Sequence, residues 1–173
     1  KIKYATFEGP SEFISSPVYH AGKVIALIGQ DPEHGEGVGR MFAVNAKTGK
    51  VDWDYTDIER SISTVSVADD LVYAADYRGR VHCVDFKTGK KVWQLEFEKK
   101  SPPEISDGMV YVGRDRIGIS AYDLLTGEEK WTFEPDSIAT GIKPKCVASA
   151  LNVYFGSGNY LYSLNKKDGK ILG

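Results

Sequence analysis

Three tryptophans stand at the same place in a near-constant repeat, and no other feature of the sequence constrains the fold as strongly. The stretch 43–53, AVNAKTGKVDW, returns at 83–93 as CVDFKTGKKVW and at 121–131 as AYDLLTGEEKW. A decayed fourth copy, SLNKKDGKILG, occupies 163–173. The central glycines of the four copies, Gly49, Gly89, Gly127 and Gly169, are 40, 38 and 42 residues apart. A period of that length marks a supersecondary element that buries its faces against its neighbours.

Inside each period the apolar residues alternate at strand spacing, and nothing reads as a helix. In the second period strands are expected over 63–67, 71–75, 81–85 and 91–97, with turns at Asp69-Asp70, Tyr77-Arg78-Gly79 and Thr88-Gly89. The third period gives 103–106, 109–113, 119–123 and 129–133, and the first gives 15–19, 24–29, 40–45 and 51–55. Four short antiparallel strands per period make a propeller blade. The expected fold is therefore all-β: one β-propeller domain over 1–173, with about four four-stranded blades at 14–57, 61–98, 102–135 and 142–173. Glycine supplies the positive φ of each hairpin bend. The tryptophan four residues on belongs to the outermost strand, where it can dock against the neighbouring blade. Trp53, Trp93 and Trp131, with Gly49, Gly89, Gly127 and Gly169, are read as these structural docking residues.

Composition narrows the function. Lys plus Arg is 22 against 24 for Asp plus Glu, a net charge of -2, which gives no basic excess for nucleic acid. No apolar run approaches the length of a transmembrane segment. Cys83 and Cys146, 63 residues apart, form no CxxC, no adjacent pair and no CxxCH, so zinc, redox-motif and covalent haem readings lack their ligands. A disulfide between them stays open.

One segment breaks the repeat. About eight residues are inserted between Gly29 and Arg40, where the other blades turn in a few. Long loops on a regular scaffold are where binding residues sit. Asp31, Glu33, His34 and Glu36 are the candidate ligands for a divalent metal there, and an ordinary solvated loop explains the same residues. Gly35, Gly37 and Gly39 resemble a nucleotide loop only superficially, because a strand follows where a helix is needed. Asp76, Arg78, Arg114, Asp115 and Arg116 fall in corresponding turns of the second and third blades. They read as solvated charged turns or, with the inserted loop, as a polar recognition face. His20 and His82 show no serine or aspartate companion at motif spacing, so a catalytic triad is not expected. The stretch 99–103, Lys-Lys-Ser-Pro-Pro, reads as a linker.

The repeats resemble the quinoprotein, or PQQ-type, β-propeller repeat, whose docking motif runs Ala-x-Asp-x-x-Thr-Gly-x-x-x-Trp behind a Val-Tyr-Val-Gly strand. Val110-Tyr111-Val112-Gly113 with Asp123, Thr126, Gly127 and Trp131 carry the match. Val72-Tyr73 and Val153-Tyr154-Phe155-Gly156 repeat the upstream strand. The resemblance covers essentially the whole chain. Its family holds quinoprotein alcohol dehydrogenases, with pyrroloquinoline quinone (PQQ) and calcium on the propeller axis, and cofactor-free BamB-like members that bind proteins. The dehydrogenases' vicinal cysteine pair is missing here and all three tryptophans are taken for docking, so the resemblance implies no catalytic or cofactor-binding residue. It implies a non-catalytic scaffold that recognises a protein or extracellular polymer through its loop face, in the periplasm or outside the cell. Part of a PQQ- and calcium-dependent oxidoreductase, and a small-ligand sensor domain, are the alternative readings.

Family propellers generally have eight blades. Residues 1–9 read as an outermost strand, since KYATFE at 3–8 resembles KWTFE at 130–134. That strand closes a small ring or belongs to a preceding blade. The second reading is favoured, and it implies self-association or further blades completing the ring.

Overall fold

The structure, a computed structural model, describes residues 11–12, 15–30, 37–61, 64–96, 104–114, 118–135 and 146–172. Among them there are sixteen strands and no helix. The first sheet holds β1 (Ser11–Glu12), β2 (Val18–His20), β3 (Lys23–Gln30), β4 (Gly39–Asn45) and β5 (Val51–Tyr55). The second runs in the order β6 (Ser66–Ala68), β7 (Leu71–Ala75), β8 (Arg80–Asp85) and β9 (Lys91–Glu96). The third runs β10 (Glu104–Ser106), β11 (Met109–Arg114), β12 (Gly118–Asp123) and β13 (Glu129–Phe133). The fourth has β14 (Cys146–Ala148), β15 (Asn152–Ser157) and β16 (Tyr160–Asn165), and Ile171 bridges Leu164 where a fourth strand stands in the others.

The five strands of the first sheet keep the four-strand plan. Both β1 and β2 pair antiparallel with β3, β1 at Gly29 and Gln30 and β2 at Lys23 to Ile25, so the innermost strand comes in two pieces.

The same turn closes the third strand of every repeat, and the residues dictate it. Asn45, Asp85, Asp123 and Asn165 each accept a hydrogen bond on the side chain from the amide two residues on, at 3.1, 3.1, 3.0 and 2.8 Å. The turn glycine donates its own amide back to that residue's carbonyl at 2.8–3.0 Å, with φ between 69° and 74°. The register shifts just before the turn, at Ala43/Val44 and at Ala121/Tyr122, as a bulged hairpin requires.

Two compact units divide the chain, Lys1–Gln94 and Leu95–Gly173. The core of unit one interleaves Ile25, Leu27, Met41, Trp53 and Tyr55 of the first sheet with Val72, Ala74, Val84 and Phe86 of the second. Trp53 donates its indole N–H to the Phe86 carbonyl at 2.8 Å, and a Cβ on Gly89 would stand 2.7 Å from the indole ring. Only a bare α-carbon lets that ring lie on the turn. Unit two repeats the arrangement: Trp131 donates to the Lys166 carbonyl at 2.9 Å, over Gly169. Its core packs Tyr111, Ile119, Ala121 and Trp131 against Cys146, Val153, Phe155 and Leu164. Burying one indole this way is worth about 2–3 kcal/mol. Trp93 is half-buried and packs on Tyr73, ring centroids 5.8 Å apart.

Candidate functional site

In unit one residues 58–60, which follow β5, form a strap that ties the loop ends of the two sheets. Gly39 donates its amide to the Ile58 carbonyl at 3.0 Å, Arg60 to Gly37 at 2.6 Å, and Tyr77 to Arg60 at 2.8 Å. Val38 bridges Glu59 antiparallel. A Cβ on Gly39 would fall 2.1 Å from the Glu59 carbonyl oxygen, so the glycine-rich run exists here to let the strap approach the strand.

Beneath the strap lies a closed polar network built on Asp76, in the turn between β7 and β8. Its side chain is fully buried. Arg80 reaches the Asp76 Oδ2 with both Nε and a terminal guanidinium nitrogen at 2.7 Å, and the Arg80 amide donates to Oδ1 at 2.9 Å. His82 Nε2 lies 3.1 Å from Oδ2, and its Nδ1 lies 3.0 Å from the Tyr55 hydroxyl. Burial pushes the Asp76 carboxyl up, but hydrogen bonds from His82 and the Arg80 amide, with the charges beside it, outweigh burial and hold it at about 2.

The order Asp76, His82, Tyr55 has the connectivity of a proton relay, and its burial decides what it can do. His82 is 0% exposed and Tyr55 is 6% exposed, so a reactant cannot reach either. Burial, reinforced by Asp57, raises the Tyr55 hydroxyl far above its ordinary value and keeps it protonated. The network holds the turn in place.

What the turn presents is different. Tyr77 is 58% exposed and the Arg78 side chain 66%. The Arg60 guanidinium stacks 4.3 Å over the Tyr77 ring, and Arg78 Nε pairs with Glu59 at 2.6 Å. Val38 adds an exposed apolar side chain beside them.

Asp76, expected in a solvated turn, is therefore a buried anchor, whereas Arg78 is exposed as expected. Arg114 donates to Ser120 Oγ at 3.1 Å. Asp115, Arg116 and residues 99–103 lie outside the described residues, as do Asp31, Glu33, His34 and Glu36, the candidate metal ligands. Among the described residues no three histidine, cysteine or carboxylate side chains gather as a metal site. His82 does have an aspartate companion, six residues back across the hairpin, and His20 packs edge-on against Phe86 at 5.1 Å.

The PQQ alternative meets its test in the thiols and indoles. Cys83 and Cys146 are free and buried, in β8 and β14, and burial pushes the Cys83 thiol up to about 12. Trp53 and Trp131 commit their indole N–H groups to backbone carbonyls. Neither these two thiols nor these two indole N–H groups are available to a quinone.

The family model described as outer membrane protein assembly factor BamB matches residues 7–94 and again 39–173. The chain is 28% identical over 146 residues to outer membrane protein assembly factor BamB of Bordetella pertussis, covering 78% of this chain and 38% of that protein. It is 26% identical over 143 residues to quinohemoprotein alcohol dehydrogenase ADH IIB of Pseudomonas putida, covering 69% of this chain and 20% of the enzyme. The crystal structure of BamB from Moraxella catarrhalis superposes with a TM-score of 0.65 at 17% identity, covering 96% of this chain and 66% of that one. That likeness shows a β-propeller fold. The chain spans well under half the length of the curated relatives it matches.

Proposed function

We propose a function from one premise: this chain belongs to the outer membrane protein assembly factor BamB family. It is a non-catalytic propeller scaffold that binds a protein of outer-membrane assembly, in the periplasm, through the loop end of unit one. The observation that carries this reading is the turn at Tyr77 and Arg78, exposed side chains on a base that is buried and hydrogen-bonded throughout. Tyrosine and arginine are the residue types that dominate protein interfaces. A turn already held in one conformation loses little entropy when a partner docks, and that strengthens binding. The tryptophan–glycine contacts act as the ties that keep neighbouring sheets in register within each unit, a structural role for Trp53 and Trp131, while Trp93 packs on Tyr73 of its own sheet.

The reading is tested by placing a photo-crosslinking phenylalanine analogue at Tyr77 in cells of the source organism. The same replacement at Thr48, on an exposed docking turn, is the control. Adducts at position 77 with an outer-membrane assembly protein, and none at 48, are expected. Equal adducts at both positions, or none at either, would refute the assignment of the surface.

A further inference from the structure

The strap of unit one leaves one arginine without a carboxylate. Arg40, Arg78, Arg80 and Arg114 each stand beside one, at 3.3, 2.6, 2.7 and 3.8 Å. Arg60 pairs with none among the described residues, although Glu59 precedes it in the chain. Glu59 turns instead to Arg78 and, at 3.9 Å, to Arg80. Around the turn the guanidinium groups of Arg60, Arg78 and Arg80 therefore meet only the carboxylates of Glu59 and Asp76, and the positive charge left over sits on Arg60.

That side chain is nonetheless held in place. The Arg60 amide donates to the Gly37 carbonyl at 2.6 Å, and the Arg60 carbonyl accepts from Tyr77 at 2.8 Å. From this backbone the side chain runs across two bare α-carbons. A Cβ on Gly29 would fall 2.5 Å from the Arg60 Cβ, and one on Gly37 would lie 3.6 Å from its Nε. The guanidinium ends 4.3 Å over the Tyr77 ring. A cation over a ring uses none of its hydrogen bonds, so the N–H donors stay to be satisfied. Arg60 is only partly buried and Tyr77 is exposed, so a group from outside the molecule can reach those donors. Much of the rotamer freedom that an arginine loses on binding is already lost here.

A held guanidinium of this kind suits an anion with two coplanar oxygens. A carboxylate accepts two parallel N–H bonds from one guanidinium, and its single charge balances the one left over. A phosphate dianion calls for more positive charge than Arg60 supplies, and the neighbouring Glu59 repels a second negative charge. Val38, 45% exposed and bridged to Glu59, offers an apolar contact next to the cation.

We infer that the partner segment docking on this turn is acidic. An aspartate or glutamate of the partner, flanked by an apolar side chain, seats its carboxylate on Arg60, and the flanking side chain covers Val38. Tyr77 is the positioning residue that aims the guanidinium. The inference rests on the partner surface proposed for this end of unit one and names the chemistry of what docks there.

Nuclear magnetic resonance titration of the 173-residue chain tests it. The probes are the capped peptide Gly-Val-Glu-Val-Gly and the same peptide with glutamine in place of glutamate. The glutamate peptide should shift the Arg60 Nε–H resonance saturably and bind about ten-fold more tightly than the glutamine peptide. Arg60→Gln should weaken the glutamate peptide by about ten-fold, and Arg60→Lys, which keeps the charge and loses the fork, by about three-fold or more. Arg60→Gln should melt within about four degrees of the parent, because a partly exposed stacking contact is all that it removes. Equal affinity for the two peptides, affinity unmoved by Arg60→Gln, or no saturable shift at Arg60 up to about 20 mM peptide overturns the inference. A larger fall in the melting temperature overturns it too, because the guanidinium would then already hold a carboxylate within the chain. The partner surface fails differently. Adducts at position 77 with no preference for the glutamate peptide leave the surface standing and remove the acidic segment. A glutamate preference without adducts at 77 removes the partner and leaves the carboxylate site.

Discussion

The polar cluster of unit one and the polar cluster of unit two are built from similar residues and end in opposite states. Around Asp76 every strong donor finds an acceptor: Arg80, His82 and two backbone amides converge on one carboxylate, and Tyr55 closes the far side of the imidazole. Around Tyr111 the count stays open, with a buried hydroxyl that has no partner among the described residues and a recess beside it. A satisfied network fixes the backbone and leaves its neighbours, here Tyr77 and Arg78, to meet a partner. An unsatisfied one leaves a buried group at a cost of about 1–3 kcal/mol. Burial alone does not separate the two cases, since Asp76 and Tyr111 are both buried; the hydrogen-bond partners do.

The comparison breaks most visibly at Asp76. Asp76→Ala leaves Arg80 and His82 facing an emptied, buried position and should cost about 3–5 kcal/mol in urea unfolding. The acid limb of the stability curve carries the same information. Held near 2 against an ordinary 3.8, the folded carboxyl adds stability that is fully present above about pH 4 and is lost as pH falls through about 2. Subtracting the Asp76→Ala curve from that of the parent should show this loss in that window, and a flat difference would mean the network is not closed.

The docking turns come next, because there the two units should agree. Gly89→Ala and Gly169→Ala each force a Cβ to within 2.7 Å of an indole, at a φ of +69°. Each should cost roughly 2–4 kcal/mol by thermal or urea unfolding. Costs that differ by more than about 2 kcal/mol would show that the tryptophan contacts are not equivalent.

The smallest effect belongs to Lys166. Lys166→Met exchanges an ammonium whose side chain is 9% exposed for a side chain of similar length, at a position that Phe86 and Leu124 fill with apolar groups. Stability should move by no more than about 1 kcal/mol in either direction, because Asp107 is exposed and a pair with a solvated partner contributes little. A loss of several kcal/mol would make the Lys166–Asp107 pair, rather than the docked Trp131, the main tie in unit two.

The fold was legible because the repeat is redundant. Four copies of one turn carry the same Asx residue and glycine, and alternation supplies the strands between them. Positions that depart from alternation were harder to read. The turn Asp76-Tyr77-Arg78-Gly79 has the composition of solvated loops, and only the pairing of β7 with β8 shows its first residue turned inward. One signal was available: His82 sits inside the run Val81 to Val84, buried at every position, and a histidine there needs a polar companion. The glycines at 37 and 39 were read against a phosphate loop, since a contact with the Glu59 backbone leaves no trace in composition. Lys166 was visible as the charged residue in a column otherwise held by Phe86 and Leu124, but the space beside it depends on packing that a repeat pattern does not encode.

The central claim is that unit one's loop end is a preformed surface for a protein partner, and affinity tests it most directly. The partner crosslinked at position 77 would be titrated against the parent chain, Tyr77→Ala and Arg78→Glu, with melting temperatures measured alongside. Each substitution should weaken binding by about ten-fold or more while leaving the melting temperature within a degree or two, since both side chains are exposed. Undiminished affinity in both variants would contradict the account.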